Sequence, residues 1–323
     1  MKIGFTVSDV QDFHLYSYLV DFYIDKKENV ILLYDNVVDK ITSPKNNKKI
    51  LNSFQCDKIK YSSMKECIDL SSEMDLVITN EGQPFQGNIK VNSKIIGLSW
   101  TMEYYVHGPR FLNLVDRFYV DCSYNQLFKT YDLSQYNVIY NKHPKYYILN
   151  NKNKENICEQ LSIDSNKKYV TFLGPAPAQK IDKKIKDMYA LGNLFKEMGY
   201  TIIIKQKPKC PKLTEICNYD IKFLHKHPKY STSAMLSYIS DFVVGFNTSG
   251  VVESARINTP FINLYLDHKT CNYRKHPVSK LIYDKLLRIE NFDKKIVSKF
   301  IEEHQNSVKN TDFEIDSFFK DCK

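Results

Sequence analysis

The stretch Asp241 to Asp267, DFVVGFNTSGVVESARINTPFINLYLD, contains a strand, a short loop of small residues, a helix and a second strand. Its apolar run from Phe242 to Phe246 predicts a parallel strand that is buried on both faces. Pro260 predicts the end of the helix, and Phe261 to Leu266 predicts the next strand. The stretch therefore indicates one half of a nucleotide-binding α/β unit.

The loop Thr248-Ser249-Gly250 precedes the predicted helix, and its glycine lets a ligand approach the backbone closely. A helix start carries unpaired N–H groups and the positive end of the helix dipole, so it binds phosphate readily. Glu253 lies four residues after Ser249, one turn along the same helix face. Its carboxylate is placed to accept hydrogen bonds from ribose hydroxyls beside a bound diphosphate. The alternative is an acidic residue that only stabilises the first turn.

Short apolar strands separated by helical segments recur along the whole chain, as is typical of parallel sheets wrapped by helices. The first half begins with the strand KIGFTVS and ends with NVIYN near residue 140, and a second set of strands begins at Lys168. A polar, Lys/Asn-rich stretch over residues 147–166 indicates a domain junction or a surface excursion. The sequence thus predicts an α/β protein of two Rossmann-like domains facing a central cleft, residues 1–150 and residues 151–323.

The order of strand, Ser/Gly loop, helical Glu and Pro before the next strand resembles the carboxyl-terminal half of GT-B fold glycosyltransferases. Within that superfamily it is most similar to the CDP-glycerol glycerophosphotransferase-like group. The resemblance implies that the first domain binds the acceptor and the second binds the activated donor. It also implies that Thr248, Ser249 and Gly250 contact the donor diphosphate and that Glu253 contacts the donor ribose.

Further donor-binding candidates follow strands of the second half. Gly174 is the last residue of KYVTFLG and Pro175 follows it. This loop either brings backbone N–H groups to a ligand or forms a structural turn. Lys205 ends YTIIIKQ, where it either pairs with phosphate as a point charge or is a solvated lysine. His225 is the last residue of DIKFLH, and His227 lies two residues later. The resemblance implies that this segment approaches the donor base or phosphates, and the alternative is an ordinary loop.

Three residues of the first half are candidates for the catalytic base. His107, in a His-Gly pair after KIIGLSW, is similar to the His-Gly motif of the glycerophosphotransferase-like group, in which the histidine is the general base toward the acceptor hydroxyl. Its unperturbed pKa near neutrality suits that role. Glu81 follows the strand DLVITN, and Asp12 follows the first strand, so both carboxylates are expected at the same sheet edge. Either carboxylate is an alternative base.

Composition restricts the partners. The net charge of +9 favours an anionic ligand such as a nucleotide diphosphate, while lysines in scattered short groups argue against nucleic acid. The eight cysteines include no C-x-x-C pair, so they are predicted to be reduced and structural, and no metal site is expected. No apolar run approaches the roughly 20 residues of a membrane helix, and the amino terminus lacks a signal-peptide layout. We therefore expect a cytoplasmic protein. A homodimer is included among the expected partners.

Together these features predict a metal-independent glycosyltransferase-like enzyme without a cofactor. It would transfer a sugar, or a glycerol phosphate, from a nucleotide-sugar type donor to a glycan or polyol hydroxyl. The absence of an obvious Asp-x-Asp motif agrees with this hypothesis. One alternative is a UDP-N-acetylglucosamine 2-epimerase-like isomerase, which shares the architecture and a similar Ser-Gly/Glu loop. Another is a non-catalytic protein of the same fold that binds nucleotide sugars or glycans.

Overall fold

The computed structural model describes residues 1–7, 10–35, 51–80, 91–99, 109–120, 134–140, 142–150, 152–174, 185–206, 218–224, 232–245, 250–264, 285–310, 313 and 316–323. Within these ranges the chain forms two compact units. The first combines residues 1–148 with the carboxyl-terminal residues 313–323, and the second comprises residues 149–227 and 232–312.

The first unit is built on a parallel sheet whose strand order is β3-β2-β1-β4-β5-β6-β7. Its strands are β1 (Lys2–Val7), β2 (Asn29–Asp35), β3 (Asp57–Tyr61), β4 (Leu76–Asn80), β5 (Lys94–Leu98), β6 (Arg117–Val120) and β7 (Val138–Tyr140). From the β1–β4 pair, the strands follow one another in chain order toward both edges of the sheet. That pair is the topological switch point, beside which ligands bind in open α/β sheets.

Helices cover both faces of this sheet because alternate strand residues point to opposite sides. Helix α1 (Val10–Asp25) packs on the face that carries Phe5, Leu32 and Ile78. Helix α2 (Met64–Ser71) packs on the other face against Leu33 and other buried side chains. A short helix α3 (Pro109–Leu112) and a 3-10 helix (Pro144–Leu149) complete the amino-terminal part of the unit.

The second unit is built on another parallel sheet, of order β10-β9-β8-β11-β12-β13. Its strands are β8 (Tyr169–Leu173), β9 (Thr201–Gln206), β10 (Ile221–Leu224), β11 (Phe242–Gly245), β12 (Phe261–Leu264) and β13 (Leu286–Ile289). They repeat the order found in the first sheet, so the switch point of this unit lies between β8 and β11.

The helices of the second unit are α4 (Lys154–Leu161), α5 (Ile185–Glu197), α6 (Thr232–Ile239), α7 (Gly250–Ile257) and α8 (Lys294–His304). Helices α5 and α8 pack on the sheet face that carries Ile202, Ile204 and Val244. Helices α6 and α7 pack against each other, with α6 contacting β8 and α7 contacting β11 and β12. The last helix, α9 (Asp316–Asp321), belongs to the first unit. Among the described helices none combines the length and apolarity that a bilayer-spanning segment requires.

Candidate functional site

Two glycines flank the switch point of the second sheet. Gly174 directly follows β8, and its backbone N–H donates to the Lys205 carbonyl at 3.0 Å. Gly250 is buried and begins α7, the helix that follows β11. Because β8 and β11 are adjacent and parallel, their carboxyl ends bring the two glycines to the same edge of the sheet. This edge is where an α/β fold presents helix N-termini to a phosphate.

Glu253 lies in the first turn of α7, on the stripe that faces the protein interior. Its relative exposure is only 8%, and Ser254 and Ile257 on the same stripe are fully buried. The positive end of the helix dipole stabilises a carboxylate at this position. A solvated helix cap would not require such burial, because taking a carboxylate out of water costs free energy unless other groups compensate. The geometry therefore places a buried hydrogen-bond acceptor, the Glu253 carboxylate, beside the start of α7.

Helix α7 is fixed at its carboxyl end and by a contact with α6. Asn258 adopts a left-handed conformation with φ of 64°, which ends the helix after Ile257. The Thr259 N–H then donates to the Ser254 carbonyl at 2.7 Å, and Pro260 leads into β12. The sequence prediction that Pro260 marks the end of this helical segment is confirmed, with Asn258 as the residue that terminates it. Ser254 also donates to Ser237 of α6 at 3.3 Å, which joins the two helices.

Lys205 lies near the carboxyl end of β9, next to β8. In the sheet register it is paired with Leu173 of β8 and Phe223 of β10. Its side chain is half-buried, and its Nζ donates to Oγ of Ser233 in the first turn of α6. The ammonium group therefore lies on the α6 and α7 side of the sheet, as the period-two alternation from the buried Ile204 requires. The structure brings Gly174, Lys205, Gly250 and Glu253 to one edge.

In the first unit, Asp12 lies at the corresponding edge. It is fully buried in the first turn of α1, which follows β1, and it accepts a hydrogen bond from Asn80 Nδ2 at 2.5 Å. Asn80 is the last residue of β4, so this bond crosses the switch point of the first sheet. Sequence analysis predicted Asp12 at this edge but missed Asn80, because strand-end asparagines carry no pattern of their own.

The surroundings of Asp12 are polar but enclosed. Thr6 of β1 donates to Thr79 of β4 at 2.7 Å, and both are buried. Burial and then the negative charge of Asp12 raise the pKa of the Tyr16 phenol well above its usual value. Tyr16 therefore stays protonated at physiological pH.

His143 is a buried residue that the sequence analysis did not select. Its Nδ1 accepts from the Lys145 N–H at 3.2 Å, and its Nε2 lies 3.2 Å from the Ser99 carbonyl oxygen. A carbonyl can only accept, so Nε2 carries the proton and the ring is neutral. Both nitrogens are bonded to backbone, and His143 therefore connects the end of β7 to the end of β5.

The remaining predicted site residues lie outside the described residues. On the donor side these are Pro175, His225, His227, Thr248 and Ser249, and on the acceptor side Glu81 and His107. Their roles stay predictions.

The cysteines in the described ranges carry free, mostly buried thiols. Cys56, Cys67, Cys158 and Cys322 are free thiols, and burial raises the pKa of Cys67 and of Cys322 to about 12, which keeps them protonated. Across the described ranges no three His, Cys, Asp or Glu side chains gather into a group that would hold a metal ion. Whether the reaction needs a metal remains a prediction.

No protein-family model matches the chain, and no curated protein matches it. Several solved structures resemble it in fold. The spinosyn forosaminyltransferase SpnP is 10% identical with a TM-score of 0.56, covering 94% of this chain and 91% of its own. The Staphylococcus aureus MnaA–UDP structure is 14% identical with a TM-score of 0.54, covering 97% and 92%. The UDP-GlcNAc 2-epimerase from Methanocaldococcus jannaschii is 12% identical with a TM-score of 0.51, covering 97% and 95%. These comparisons and the two sheets confirm the predicted fold class, two Rossmann-like α/β domains of the GT-B type.

Proposed function

We propose that the protein is a glycosyltransferase-like enzyme that transfers a sugar, or a glycerol phosphate, from a nucleoside diphosphate donor to a hydroxyl of a glycan or polyol. The observation that carries this proposal is the edge formed by Gly174, Lys205, Gly250 and Glu253 in the second unit. It combines backbone close to a helix start, a positive charge and a buried carboxylate. These groups suit a diphosphate next to a ribose, because helix starts and cations bind phosphate and a carboxylate accepts from hydroxyls.

Each group has a separate task in the proposed step. The start of α7 and the ammonium of Lys205 bind the diphosphate and stabilise the charge that develops on the leaving group. The leaving group is the nucleoside diphosphate when a sugar is transferred, and the nucleoside monophosphate when glycerol phosphate is transferred and the bond between the two phosphates breaks. Glu253 accepts from the ribose hydroxyls and so fixes the nucleotide along the sheet edge. A base in the first unit, chosen among Asp12, Glu81 and His107, removes the acceptor proton while the new bond to the acceptor oxygen forms. No metal is required by this arrangement of charges.

An isomerase of the 2-epimerase type is the second candidate. It is supported by the fold-level similarity to the epimerase from M. jannaschii, which is as extensive as the similarity to the transferase. Incubation with UDP-N-acetylglucosamine in the absence of an acceptor separates the two candidates. Formation of the epimer supports the isomerase, whereas slow hydrolysis to UDP supports the transferase.

A thermal-shift panel tests whether there is a nucleotide site at all. The panel consists of UDP, CDP, GDP, ADP, CDP-glycerol and common nucleotide sugars, with the parent nucleosides as controls. A ligand at 100 times its dissociation constant stabilises the folded unit by about 2.7 kcal/mol, which for a unit of this size raises Tm by about 5–10 °C. At least one diphosphate is expected to produce such a shift. A panel in which no compound raises Tm contradicts the proposed function, and it also contradicts the alternative of a non-catalytic protein that binds nucleotide sugars.

A further inference from the structure

The excess positive charge of the chain lies in the second unit. Residues 1–148 and 313–323, which form the first unit, carry 19 Lys and Arg residues and 20 Asp and Glu residues. Residues 149–227 and 232–312, which form the second unit, carry 26 and 17. The first unit is therefore close to neutral, whereas the second is strongly cationic. A charge difference of this kind between two halves of a chain is typical of a protein that meets an anionic polymer or an anionic membrane surface.

Five lysines of the second unit lie at the amino edge of its sheet, opposite the candidate donor site. They are Lys152, Lys154, Lys167, Lys168 and Lys285. Lys167 and Lys168 directly precede β8 and Lys285 directly precedes β13, so these three lie where parallel strands begin. The start of α4 reaches the same edge, because Lys154 Nζ donates to the Lys167 carbonyl at 2.6 Å. Within the described ranges none of the five forms an ion pair with a carboxylate.

Acidic side chains in this region only partly balance the lysines. Asp241 directly precedes β11, and its carboxylate already accepts from the Tyr169 N–H at 3.0 Å. Glu155 and Asp164 are exposed, and Glu159 lies one turn further along α4, away from the edge. Three carboxylates therefore lie among five ammonium groups, and an anionic surface is attracted to this edge.

An exposed apolar side chain is fixed beside these lysines. Val308 is 80% exposed, and its carbonyl accepts from Asn258 Nδ2 at 2.6 Å. The same amide accepts at its Oδ1 from Lys285 Nζ at 2.9 Å. The next residue, Lys309, is anchored through its own Nζ to the Ser240 carbonyl at 2.6 Å. One exposed valine is ordinary by itself, but here its backbone is fastened next to a cluster of cations while its side chain stays in solvent.

We propose that the amino edge of the second unit docks on the surface of an anionic lipid bilayer. The five lysines face the phosphates of the lipid headgroups, and Val308 enters the headgroup layer. The opposite edge of the sheet, with Gly174 and Glu253, stays accessible to a ligand when the protein is docked in this way. The inference goes beyond the proposed function and does not depend on it, because it concerns a separate surface.

The groups at this edge favour lipid over nucleic acid. All five cations are lysines, which are flexible point charges that need no fixed geometry in the partner. The aromatic rings of Tyr169 and Tyr200 are buried beneath Lys154 and Lys168, whose Nζ atoms lie 5.6 Å and 5.8 Å from the ring centroids. These rings are therefore not available to stack on bases, which is how proteins commonly hold single strands.

Flotation of the full-length chain with lipid vesicles tests the proposal. The vesicles consist of phosphatidylcholine with none, about 15% or about 30% phosphatidylglycerol. The wild type is expected to bind only the anionic vesicles. Its partition coefficient should fall by at least about 10-fold between about 50 mM and about 300 mM NaCl, because salt screens exposed charges.

Charge reversal at the edge is compared with the same reversal elsewhere on the second unit. The double variant Lys167→Glu/Lys168→Glu is expected to weaken binding to the anionic vesicles by at least about 20-fold, since each lysine near an anionic surface contributes about fivefold. The matched control is Lys295→Glu/Lys299→Glu, which changes the net charge equally at two exposed positions of α8. This control is expected to stay within about 3-fold of the wild type.

The apolar contact is tested in the same way. Val308→Asp is expected to weaken vesicle binding by about 5-fold or more. Its control is Ile296→Asp on α8, where the isoleucine is 55% exposed, and a change of less than about 2-fold is expected there. Glu155→Lys adds a cation beside Lys154 and is expected to strengthen binding by about 5-fold.

Three results overturn the inference. The first is a wild-type chain that binds none of the anionic vesicles. The second is an equal loss in both double variants, which would mean that net charge and not this edge drives adsorption. The third is tighter binding to a single-stranded oligonucleotide of about 20 nucleotides than to the vesicles at the same salt, which would assign the edge to nucleic acid.

Two further measurements keep these outcomes interpretable. Urea unfolding of each variant shows whether it folds, and Val308→Asp, at an exposed position, tests the edge even where a charge reversal unfolds the chain. Thermal shifts with nucleotides are recorded on the same preparations. A chain that binds vesicles but no nucleotide contradicts the proposed function alone, and a chain that binds nucleotide but no vesicle contradicts this inference alone.

Discussion

At the scale of single residues, Glu253 shows how burial changes the interpretation of an acidic side chain. In the sequence it fits equally well a helix that is stabilised by an acid in its first turn and a ribose-binding site. The structure places it on the interior stripe of α7 with 8% exposure. Burial means that interactions inside the protein, and not water, compensate the carboxylate charge, and ribose recognition stays the role that we propose for it.

Replacement of Glu253 by Gln or Ala is therefore expected to weaken nucleotide binding. A hydrogen bond to a charged group contributes about 1.5–3 kcal/mol, so affinity for the bound nucleoside diphosphate should fall by about 10- to 100-fold in Glu253→Ala. The measurement is titration of UDP, CDP and GDP against their 2′,3′-dideoxy forms. The dideoxy compounds lack the hydroxyls, so they should bind the variant and the wild type alike. A loss of the same size for both forms would contradict ribose recognition.

Asp12 gives a prediction about turnover instead of binding. The variant Asp12→Asn keeps the shape of the side chain and leaves an oxygen to accept from Asn80, but it removes the basic group. If Asp12 is the base, turnover should fall by about 100- to 10,000-fold while nucleotide affinity is unchanged. The measurement is release of the nucleoside diphosphate in the presence of acceptor. Activity close to that of the wild type would assign the base to Glu81 or His107.

Lys309 is a lysine whose ammonium group is enclosed by protein at the opposite edge of the second sheet. Its Nζ donates to the Ser240 carbonyl at 2.6 Å and to Thr259 Oγ1 at 2.9 Å. Burial lowers the pKa of Lys309 to about 7, although the charge of Asp241 acts in the opposite direction. Folding therefore favours the neutral amine, whereas the unfolded chain keeps this lysine protonated up to a pH of about 10.4.

The stability of the second unit should consequently increase with pH above about 7, because the unfolded state there binds one more proton than the folded state. The contribution is up to about 1 kcal/mol per pH unit, and it is absent in Lys309→Met. The measurement is urea unfolding of both proteins between pH 6.5 and pH 8.5. The upper limit lies near the ordinary thiol pKa, so that ionisation of the cysteines contributes little to the pH dependence. The wild-type free energy of unfolding should rise relative to that of the variant. Parallel profiles would show that Lys309 does not titrate in this range.

At the scale of secondary-structure elements, α4 shows a signal that the sequence analysis passed over. Residues 147–166 were interpreted from their polar composition as a junction, yet they include a regular helix. Asn153 caps it, accepting from the Asn156 N–H at 2.9 Å while the Asn156 side chain accepts from the Asn153 N–H at 3.3 Å. The buried face of this helix consists of Ile157, Cys158 and Leu161. Three apolar residues among many polar ones give a weak helical periodicity, so the polar composition of the stretch suggested a junction instead.

Removal of this cap tests its contribution. Asn153→Ala should lower the free energy of unfolding of the second unit by about 1 kcal/mol, because an N–H of the first turn loses its acceptor. Asn153→Asp, which keeps an accepting oxygen, should stay close to the wild type. Urea unfolding measures the change in stability, and hydrogen exchange of residues 154–161 measures the protection of the helix. Equal protection in the alanine variant would mean that packing alone holds α4.

Strand β13 was also not predicted. Its sequence, LLRI, places an exposed arginine in a short run at the edge of the sheet, where only one neighbour pairs with it. A strand of this kind is specified by pairing with β12 and carries little local pattern.

At the scale of the whole molecule, the carboxyl-terminal segment belongs to the unit formed by the amino-terminal half. Phe313 stacks on Tyr146 with ring centroids 4.7 Å apart, and Phe318 packs on Tyr119 at 5.0 Å. The Tyr119 hydroxyl also donates to Asp321 at 2.5 Å. Residues 313–323 thus complete the aromatic core of a sheet that ends about 170 residues earlier in the sequence.

Phe318→Ala is expected to destabilise the first unit by about 3–5 kcal/mol, because it leaves a cavity at a fully buried position. The matched control is Lys320→Ala on the exposed side of the same helix, for which a change within about 0.5 kcal/mol is expected. Hydrogen exchange of α1 measures the effect on the first unit, and nucleotide affinity reports on the second. A loss of protection in the second unit alone would contradict the assignment of this segment.

The strands and helices of both units were predicted largely from the amino-acid sequence, because apolar periodicity follows from the geometry of a helix or a strand and extends over neighbouring residues. The sequence also determined that the chain is α/β with parallel sheets, and which residues end the strands of the second half. Only the tertiary structure decided which of those strand ends meet. The contacts of Lys205 with Ser233, 28 residues away, and of Asp12 with Asn80, 68 residues away, depend on strand order. Strand order is a long-range property, and the burial of Glu253 depends on the packing of α7, so neither could be read from local pattern.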